Sequence, residues 1–347
     1  MSTTFGRRMR PFVLALAVVV PLAACGSSST SGARQAPATG SSSGIPAGTV
    51  LEFGDQQELF KTLLSSSKAL DGAPYEVKFA EFNSGPLVNA GFTANRIDLG
   101  FMGDLPASLA VQSGIPVHAI AVAKTVGPAI YLVAKPGITS IADLKGKRVA
   151  YTTGTAQQAF ALRALATAGL KQQDVQQVNV SLLQLGTVLD SGAADASVVS
   201  IQQKVNYEQH HAGATTLATS DSVKPASYLY VLATNHALAD PAKTAALDDL
   251  RARLIRAVNW QVSHGQEWIN DYYVGVQHQT PAAATLILGA GGSYHFVPLG
   301  PEVQTALQNV VDLLAGAGAL PSRYSVDPLF DAAQTQRYNS ILEGVHS

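Results

Sequence analysis

Short apolar strands alternate with amphipathic helices along most of this chain, and the alternation occurs in two successive sets. The first set covers residues 50–123 and the second covers residues 148–211. Strands that alternate with helices pair mainly in parallel, and their sheet is covered by helices on both faces. The sequence therefore predicts an α/β fold made of two similar sheet-and-helix lobes.

Two further apolar runs lie outside these sets, at residues 129–134 and 228–234. Each is interpreted as an extended segment that crosses between the lobes, and two such crossings would form a hinge. After Thr234 the periodicity is almost entirely helical. The predicted domains are residues 49–133 with 234–347 for lobe one, and residues 134–233 for lobe two.

The N-terminal segment has the pattern of a bacterial lipoprotein export signal. Three arginines precede an apolar run at residues 12–20, which is short for a membrane span, and Ala23 and Ala24 directly precede Cys25. Residues 1–24 are therefore predicted to be removed, and Cys25 is predicted to carry a lipid. Residues 25–48, rich in glycine and serine, are predicted to form a flexible tether that holds an extracytoplasmic protein on the cell membrane.

Composition argues against several classes of function. Cys25 is the only cysteine, so the lobes have no thiol for catalysis, disulfides or a cysteine-type zinc site. The chain has no basic excess, which argues against nucleic acid as a partner. No Gly-x-Ser-x-Gly motif occurs in the predicted lobes, since the match at residues 40–44 lies in the predicted tether, and the pair His210–His211 has no partner at metal-ligand spacing. We expect a monomeric binding protein with no enzymatic activity, no cofactor and no metal.

Several motifs, in order and spacing, resemble one family of transport proteins. These motifs are Glu81-Phe82-Asn83-Ser84-Gly85-Pro86, Ile97-Asp98-Leu99-Gly100, Gly103-Asp104-Leu105-Pro106, the segment 141–150, Gly154-Thr155 and Phe296-Val297-Pro298-Leu299. The chain resembles, over roughly residues 50–340, the aliphatic sulfonate, nitrate and taurine class of ABC-importer substrate-binding proteins. The resemblance implies a bilobal, type II periplasmic-binding-protein fold that closes over a small anionic solute and delivers it to a permease with an ATPase.

The candidate binding residues lie at predicted helix starts. Ser84-Gly85-Pro86 and Asp104-Leu105-Pro106 each combine a capping residue with a proline two positions later, which a first helical turn tolerates. Such starts follow strands, where ligands of open α/β sheets bind, and their N–H groups attract anions. The candidate ligand-binding residues are Gln56, Ser84, Gly85, Pro86, Gly103, Asp104, Gly154, Thr155, Ser200, Gln202 and Tyr228.

Two of these residues, Asp104 and Tyr228, have a structural alternative, and the neighbouring Asp55 is weighed against Gln56. Asp104 is expected to cap its own helix rather than to touch an anion. Asp55, with Glu58 three residues later, has the pattern of a capping box and is interpreted as structural, which leaves Gln56 as the contact residue. Tyr228 either covers the cleft or packs in the core.

The nature of the ligand stays open between several small solutes. Members of the resembled family often carry an aromatic and an acidic residue where this chain has Ser200-Ile201-Gln202-Gln203. Our hypothesis is a ligand that is smaller or more polar than a long alkanesulfonate. Nitrate, taurine and a pyrimidine precursor of thiamine are the alternatives. The last would need aromatic stacking surfaces, for which only Tyr151, Tyr207, Tyr228 and Phe53 are predicted near the cleft.

Overall fold

The computed structural model describes residues 44–220, 222–223, 228–290 and 293–346. The predicted signal, Cys25 and the tether up to residue 43 lie outside the described residues. Both sheets belong to one compact unit, Ser42–Ser347. Within the described part of the chain, no helix combines the length and the apolar character that crossing a bilayer requires.

The described strands form one six-stranded and one five-stranded sheet. The strands are β1 Val50–Asp55, β2 Glu76–Glu81, β3 Leu99–Gly103, β4 Val117–Val126, β5 Ile130–Ala134, β6 Arg148–Ala150, β7 Gln176–Val178, β8 Ala196–Ser200, β9 Thr215–Thr219, β10 Tyr228–Thr234 and β11 Ser293–Phe296. The first sheet has the order β11-β4-β10-β3-β1-β2, and the second has the order β7-β6-β8-β5-β9.

Helices connect and cover the strands. They are α1 Leu59–Ser66, α2 Gly85–Thr93, α3 Asp104–Gln112, α4 Ala156–Thr167, α5 Leu185–Asp190, α6 Ile201–His210, α7 Asn235–Ala239, α8 Pro241–Ser263, α9 Gly265–Trp268, α10 Pro281–Gly289, α11 Pro301–Gly316 and α12 Ala332–His346. A π-helical segment, Ile269–Val276, continues directly from α9. The predicted α/β fold with two sheets is confirmed, whereas β9 and β11 were not predicted, and the helical character expected after Thr234 gave no sign of a π-helix.

The two apolar runs predicted as crossings are central strands of the sheets. β10 pairs antiparallel with β3 and β4, and β5 pairs antiparallel with β8 and β9. A strand buried on both faces is apolar throughout, which explains why these runs lack polar alternation. The chain passes from the first sheet to the second between Val126 and Ile130 and returns between Thr219 and Tyr228. The sheets therefore change before the predicted positions 133 and 233, and the division into two domains stays a prediction.

The two lobes share part of their cores. The cluster that surrounds α4 on the second sheet includes Leu105 of α3 together with Val310 and Leu314 of α11. These three side chains are fully buried. Helices that follow strands of the first sheet thus pack into the apolar core of the second, which holds the two sheets next to each other.

Asp195, directly before β8, binds residues at the adjacent ends of β5 and β6 in the second sheet. Its Oδ2 accepts hydrogen bonds from the backbone N–H and Nε of Arg148, at 3.0 and 3.1 Å, while Lys135 Nζ pairs with its Oδ1. The hydrogen-bonded guanidinium of Arg148 holds the pKa of the Asp195 carboxyl well below its ordinary value. The carboxylate therefore stabilises the folded state at neutral pH.

We expect Asp195→Asn to destabilise the protein at neutral pH and to matter progressively less in acid. Because the folded-state pKa lies below the unfolded value of about 3.9, the stabilisation is present above that pH and is lost as the pH falls further. Urea denaturation of both proteins, at neutral pH and again at about pH 2, well below the unfolded-state pKa, measures the difference. An equal difference at both pH values would contradict this role.

Candidate functional site

Two adjoining cavities lie between the sheets, at the ends of the parallel strands. The helix-start cavity, of about 210 Å³, is lined by Gln56, Gly85, Phe101, Gly103, Pro106, Thr125, Ala129, Ile130, Thr155, Ala156, Gln157, Leu182, Ser220, Tyr228, Leu229 and Tyr294. The aromatic cavity, also of about 210 Å³, is lined by Gln56, Gln57, Leu59, Phe101, Ala129, Gln157, Ser200, Ile201, Gln202, Trp268, Tyr272, Tyr273 and Tyr294. Five residues line both cavities, so the two are parts of one cleft.

Seven of the predicted binding residues line this cleft. They are Gln56, Gly85, Gly103, Thr155, Ser200, Gln202 and Tyr228. The remaining four, Ser84, Pro86, Asp104 and Gly154, are not among the residues that line either cavity. Contact between any of these residues and a ligand stays a prediction.

Helix N-termini from both sheets face the cleft. Gly85 begins α2 and Gly103 precedes α3 on the first sheet, while Thr155 and Ser200 precede α4 and α6 on the second. The first N–H groups of an α-helix have no intrahelical acceptor, and the helix dipole adds partial positive charge there. This arrangement suits an anion without a cationic side chain.

Side-chain capping differs among these helix starts. Ser200 Oγ accepts the backbone N–H of Gln203 at 3.3 Å, which makes Ser200 a cap of α6. Thr155 Oγ1 instead donates to the carbonyl of Thr152 at 2.7 Å, and neither it nor Ser84 caps its helix through the side chain. Ser84 is the N-cap residue of α2, as its sequence predicts, but the side-chain hydrogen bond expected of a cap is absent.

The α3 and α4 starts approach closely at Gly103. A Cβ atom added to Gly103 would lie 2.8 Å from the Cβ of Ala156, closer than two side chains tolerate. The backbone of Gly103 is extended, so its glycine is required by space and not by torsion. Gly103 thus permits a helix start of each sheet to reach the same cavity.

Asp104 forms a buried ion pair between the lobes. One carboxylate oxygen accepts the backbone N–H of Leu105 at 2.8 Å, and the other lies 2.9 Å from Arg163 of α4. The two side chains are only 3% and 4% exposed. The structural role expected for Asp104 agrees with the first contact, but the structure makes it the first helical residue, with Gly103 as the cap. Sequence reasoning missed Arg163, which lies 59 residues away in the chain.

The loop after β1 brings Gln56 into the cleft. Gln56 Nε2 donates to the carbonyl of Phe101 at 2.6 Å, while Asp55 accepts the N–H groups of Phe60 and Lys61 at 3.1 and 2.8 Å. Burial raises the pKa of Asp55 to about 6 against these hydrogen bonds. The structural interpretation of Asp55 fits these contacts.

Neither hydrogen bond of the expected capping box between Asp55 and Glu58 forms. Glu58 has a left-handed backbone, with φ at 51°, and its N–H and that of Gln57 donate to Glu81 of β2. Glu58 pairs instead with Lys61 at 2.7 Å. Glu81, which is distant in sequence, thus accepts the N–H groups of the two residues that precede α1.

Five aromatic residues line the aromatic cavity, and sequence reasoning missed all of them. They are Phe101, Trp268, Tyr272, Tyr273 and Tyr294, which together are called the aromatic wall. Three of these lie in α9 and the π-helical segment, whose face cannot be read from a period of 3.6 residues. The dense group Trp268-Ile269-Asn270-Asp271-Tyr272-Tyr273 was the available signal. The predicted scarcity of aromatic surfaces near the cleft is therefore wrong.

Tyr228 closes one side of the helix-start cavity. Its hydroxyl donates to Glu302, at the start of α11, with a distance of 3.0 Å. Burial, reinforced by this neighbouring carboxylate, raises the pKa of Tyr228 to about 12. The residue is buried and lines the cavity, so it combines both roles that the sequence left open.

The cleft is electrically neutral in its side chains. None of the residues that line either cavity in the described part of the chain is Asp, Glu, Lys, Arg or His. Nor do the described residues bring together three or more side chains able to ligate a metal. Polar recognition here therefore rests on amides, hydroxyls and the backbone of the helix starts.

Comparison with known proteins identifies the family of this chain. The family profile described as NMT1/THI5 like matches residues 76–267, more than half of the chain. The chain belongs to the NMT1/THI5-like family. Trp268, Tyr272, Tyr273 and Tyr294 follow the residues that define this match, so most of the aromatic wall lies outside it.

Individual relatives of this NMT1/THI5-like chain cover part of its sequence. A protein of Escherichia coli (strain K12) named for binding aliphatic sulfonates is 30% identical over 151 residues, which are 42% of this chain and 47% of that protein. A protein of the same name from Bacillus subtilis (strain 168) is 26% identical over 191 residues, 53% of this chain and 54% of that protein. The chain thus spans about half the length of the curated relatives that it matches.

Solved structures are similar over most of the chain. The alkanesulfonate-binding protein SsuA from Xanthomonas axonopodis pv. citri, bound to MOPS, gives a TM-score of 0.73 at 22% identity, covering 82% of this chain and 99% of that one. The periplasmic aliphatic sulphonate binding protein SsuA from Escherichia coli gives 0.71 at 22% identity, covering 82% and 92%. The predicted periplasmic-binding-protein fold and the predicted resemblance to the sulfonate class are confirmed.

Proposed function

We propose that this chain is the extracytoplasmic solute-binding component of an ABC importer and captures a small organosulfonate-type oxyanion. The observation that carries the proposal is the neutral cleft surrounded by helix N-termini of both sheets. An oxyanion supplies acceptors to several N–H groups at once and needs no buried counter-charge. The names of the relatives and of the similar structures support a sulfonate as this anion.

The protein acts in this proposal as a binder and not as an enzyme. Its relatives are named as binding proteins, and none of the described residues that line the cleft is Asp, Glu, Lys, Arg or His, which together with tyrosine include the commonest general acids and bases. The solute would contact both lobes, and the closed arrangement would be recognised by a permease that works with an ATPase. No cofactor is needed for this task.

Calorimetric titration with a panel of small solutes tests the proposed function. We expect at least one of methanesulfonate, taurine, benzenesulfonate and octanesulfonate to bind with a Kd of about 1 μM or tighter. Benzenesulfonamide, the neutral counterpart of benzenesulfonate, should bind at least about tenfold more weakly, because it lacks the charge that the helix starts attract. Equal affinity for this neutral compound, or no binding of any sulfonate, would contradict the proposal. Tightest binding of octanesulfonate would contradict the hypothesis of a smaller or more polar ligand.

A pyrimidine precursor of thiamine is the second candidate ligand. A pyrimidine needs stacking surfaces, and the aromatic wall provides surfaces that were not predicted from the sequence. An aminopyrimidine and nitrate therefore belong in the same titration. Binding of the pyrimidine without binding of any sulfonate would replace the first proposal with this one.

We propose further that Cys25 carries a lipid that anchors the protein to the cell membrane. The arrangement of residues 7–25 supports this proposal, and a tether would keep the binding lobes close to the permease. We expect Cys25→Ser to prevent incorporation of a labelled fatty acid and to release the protein from the membrane fraction. Continued labelling of the Cys25→Ser variant would contradict lipidation at this residue.

A further inference from the structure

We propose that the aromatic cavity is a subsite for a planar ring, so the solute is a ring-bearing sulfonate rather than a linear alkanesulfonate. This inference rests on the proposed function for the anionic end of the ligand. Gln56, Phe101, Ala129, Gln157 and Tyr294 line both cavities. A single ligand can therefore have its anion at the helix starts and its body among the aromatic side chains.

The π-helical segment and the end of α9 supply three of the five residues of the aromatic wall. A π-helix bonds residue i to residue i+5, and here the N–H of Gln277 donates to the carbonyl of Tyr272 at 2.8 Å. This wider turn brings residues four and five positions apart onto one face. Trp268 consequently lies beside both Tyr272 and Tyr273, and all three line the same cavity.

The ring contacts within the wall fix its shape. Trp268 and Tyr272 stack at a centroid distance of 4.5 Å with an interplanar angle of 12°, and Tyr273 meets Tyr272 edge-on at 5.3 Å and 63°. All three side chains are buried. A wall that is held in place before binding loses little conformational freedom when a flat ligand packs on it. Aromatic pairs also gain more than their buried area alone provides.

Two glutamine side chains also line the aromatic cavity, and they disfavour a plain alkyl chain. They are Gln157 and Gln202, and their side-chain amides make no hydrogen bond to the other described residues. A polymethylene chain would face these amides without pairing them, which is unfavourable when water is excluded. A ring that carries a hydroxyl or amino substituent can pack on the aromatic wall and hydrogen-bond to the amides. A substituted arenesulfonate therefore matches both the aromatic and the amide side chains of this cavity.

The size of the cavity agrees with a single ring. A cavity of about 150 Å³ in a protein core can hold benzene. The aromatic cavity, at about 210 Å³, exceeds this volume by a margin that suits a small polar substituent.

Four sulfonates that differ only in their organic part test the proposal on the wild-type protein. They are 4-hydroxybenzenesulfonate, benzenesulfonate, cyclohexanesulfonate and hexanesulfonate. The last three carry the same number of carbon atoms, so they separate planarity from bulk. We expect both arenesulfonates to bind at least about tenfold more tightly than hexanesulfonate, with cyclohexanesulfonate in between. Hexanesulfonate binding as tightly as benzenesulfonate would overturn the ring subsite and leave the proposed function intact, whereas no binding by any sulfonate would overturn the proposed function itself.

Two variants test whether the aromatic wall causes the tighter binding of arenesulfonates. Tyr294 is only half-buried, so Tyr294→Leu is expected to fold and to weaken benzenesulfonate binding by at least about fivefold. Because Tyr294 lines both cavities, methanesulfonate binding is expected to weaken as well, but by a clearly smaller factor. Trp260→Leu is the matched control, because Trp260 is half-buried and lines neither cavity. Equal weakening of both ligands by Tyr294→Leu would contradict a ring-specific role.

The same control variant supplies a direct reporter. The chain contains two tryptophans, so Trp260→Leu leaves Trp268 as the single source of tryptophan fluorescence. We expect benzenesulfonate to change this fluorescence with the Kd found by calorimetry, and methanesulfonate to bind without changing it. Unchanged Trp268 emission during saturable binding of benzenesulfonate would overturn the proposal.

Discussion

Replacing Gly103 by valine is expected to weaken solute binding by at least about 100-fold while the protein remains folded. A Cβ atom at this position already lies 2.8 Å from the Cβ of Ala156, so valine must push the α3 and α4 starts apart. A ligand held from both sides then loses contacts with one of them. Loss of two hydrogen bonds to a charged group, at about 1.5 kcal/mol each, corresponds to about 100-fold in Kd.

Gly300→Val is the matched control for this variant. Gly300 is also a helix N-cap with an extended backbone, but an added Cβ atom would meet nothing within 4 Å. Both substitutions therefore remove the same kind of cap, and only the first introduces a clash between the sheets. Calorimetric titration of both variants measures the difference. Binding by Gly103→Val within about threefold of the wild type would contradict simultaneous contact of the ligand with both helix starts.

Replacing Asp104 by alanine is expected to lower the free energy of unfolding by about 3–5 kcal/mol, because it leaves the buried guanidinium of Arg163 without its carboxylate. The double variant Asp104→Leu, Arg163→Met should be much closer to the wild type, since no unpaired charge stays buried. Urea denaturation measures all three proteins.

Arg323→Gln gives the matched comparison for the ion pair. Arg323 pairs with Asp312, but its side chain is 67% exposed, so solvent screens the interaction. We expect this substitution to change the free energy of unfolding by at most about 1 kcal/mol. A similarly small effect of Asp104→Ala would mean that the buried pair contributes no more than a surface pair does.

The local patterns of the sequence predict the strands and helices of both lobes well, because each element carries its own periodicity. The second predicted set, residues 148–211, contains the strands β6, β7 and β8 in alternation with the helices α4, α5 and α6. The antiparallel placement of β5 and β10 could not be predicted in this way. An apolar run of that length fits a buried strand and an extended crossing equally well, and only pairing with distant strands decides between them.

The candidate site was predictable where it depends on helix starts and not where it depends on distant contacts. Gly85 and Thr155 could be placed at the cleft because capping signals identify helix N-termini in the sequence. Arg163 lies in the interior of a helix, where nothing in the local pattern indicates a partner in the other lobe. Tyr294 belongs to a four-residue strand that is too short to produce a detectable alternation.

A crystal structure of the protein with benzenesulfonate tests the central claim most directly. We expect the sulfonate oxygens within hydrogen-bonding distance of the backbone N–H groups of Gly85 in α2 and Ala156 in α4, inside the helix-start cavity. A sulfonate bound by lysine or arginine side chains, or bound outside the cleft, would contradict recognition of the anion by helix N-termini of both sheets.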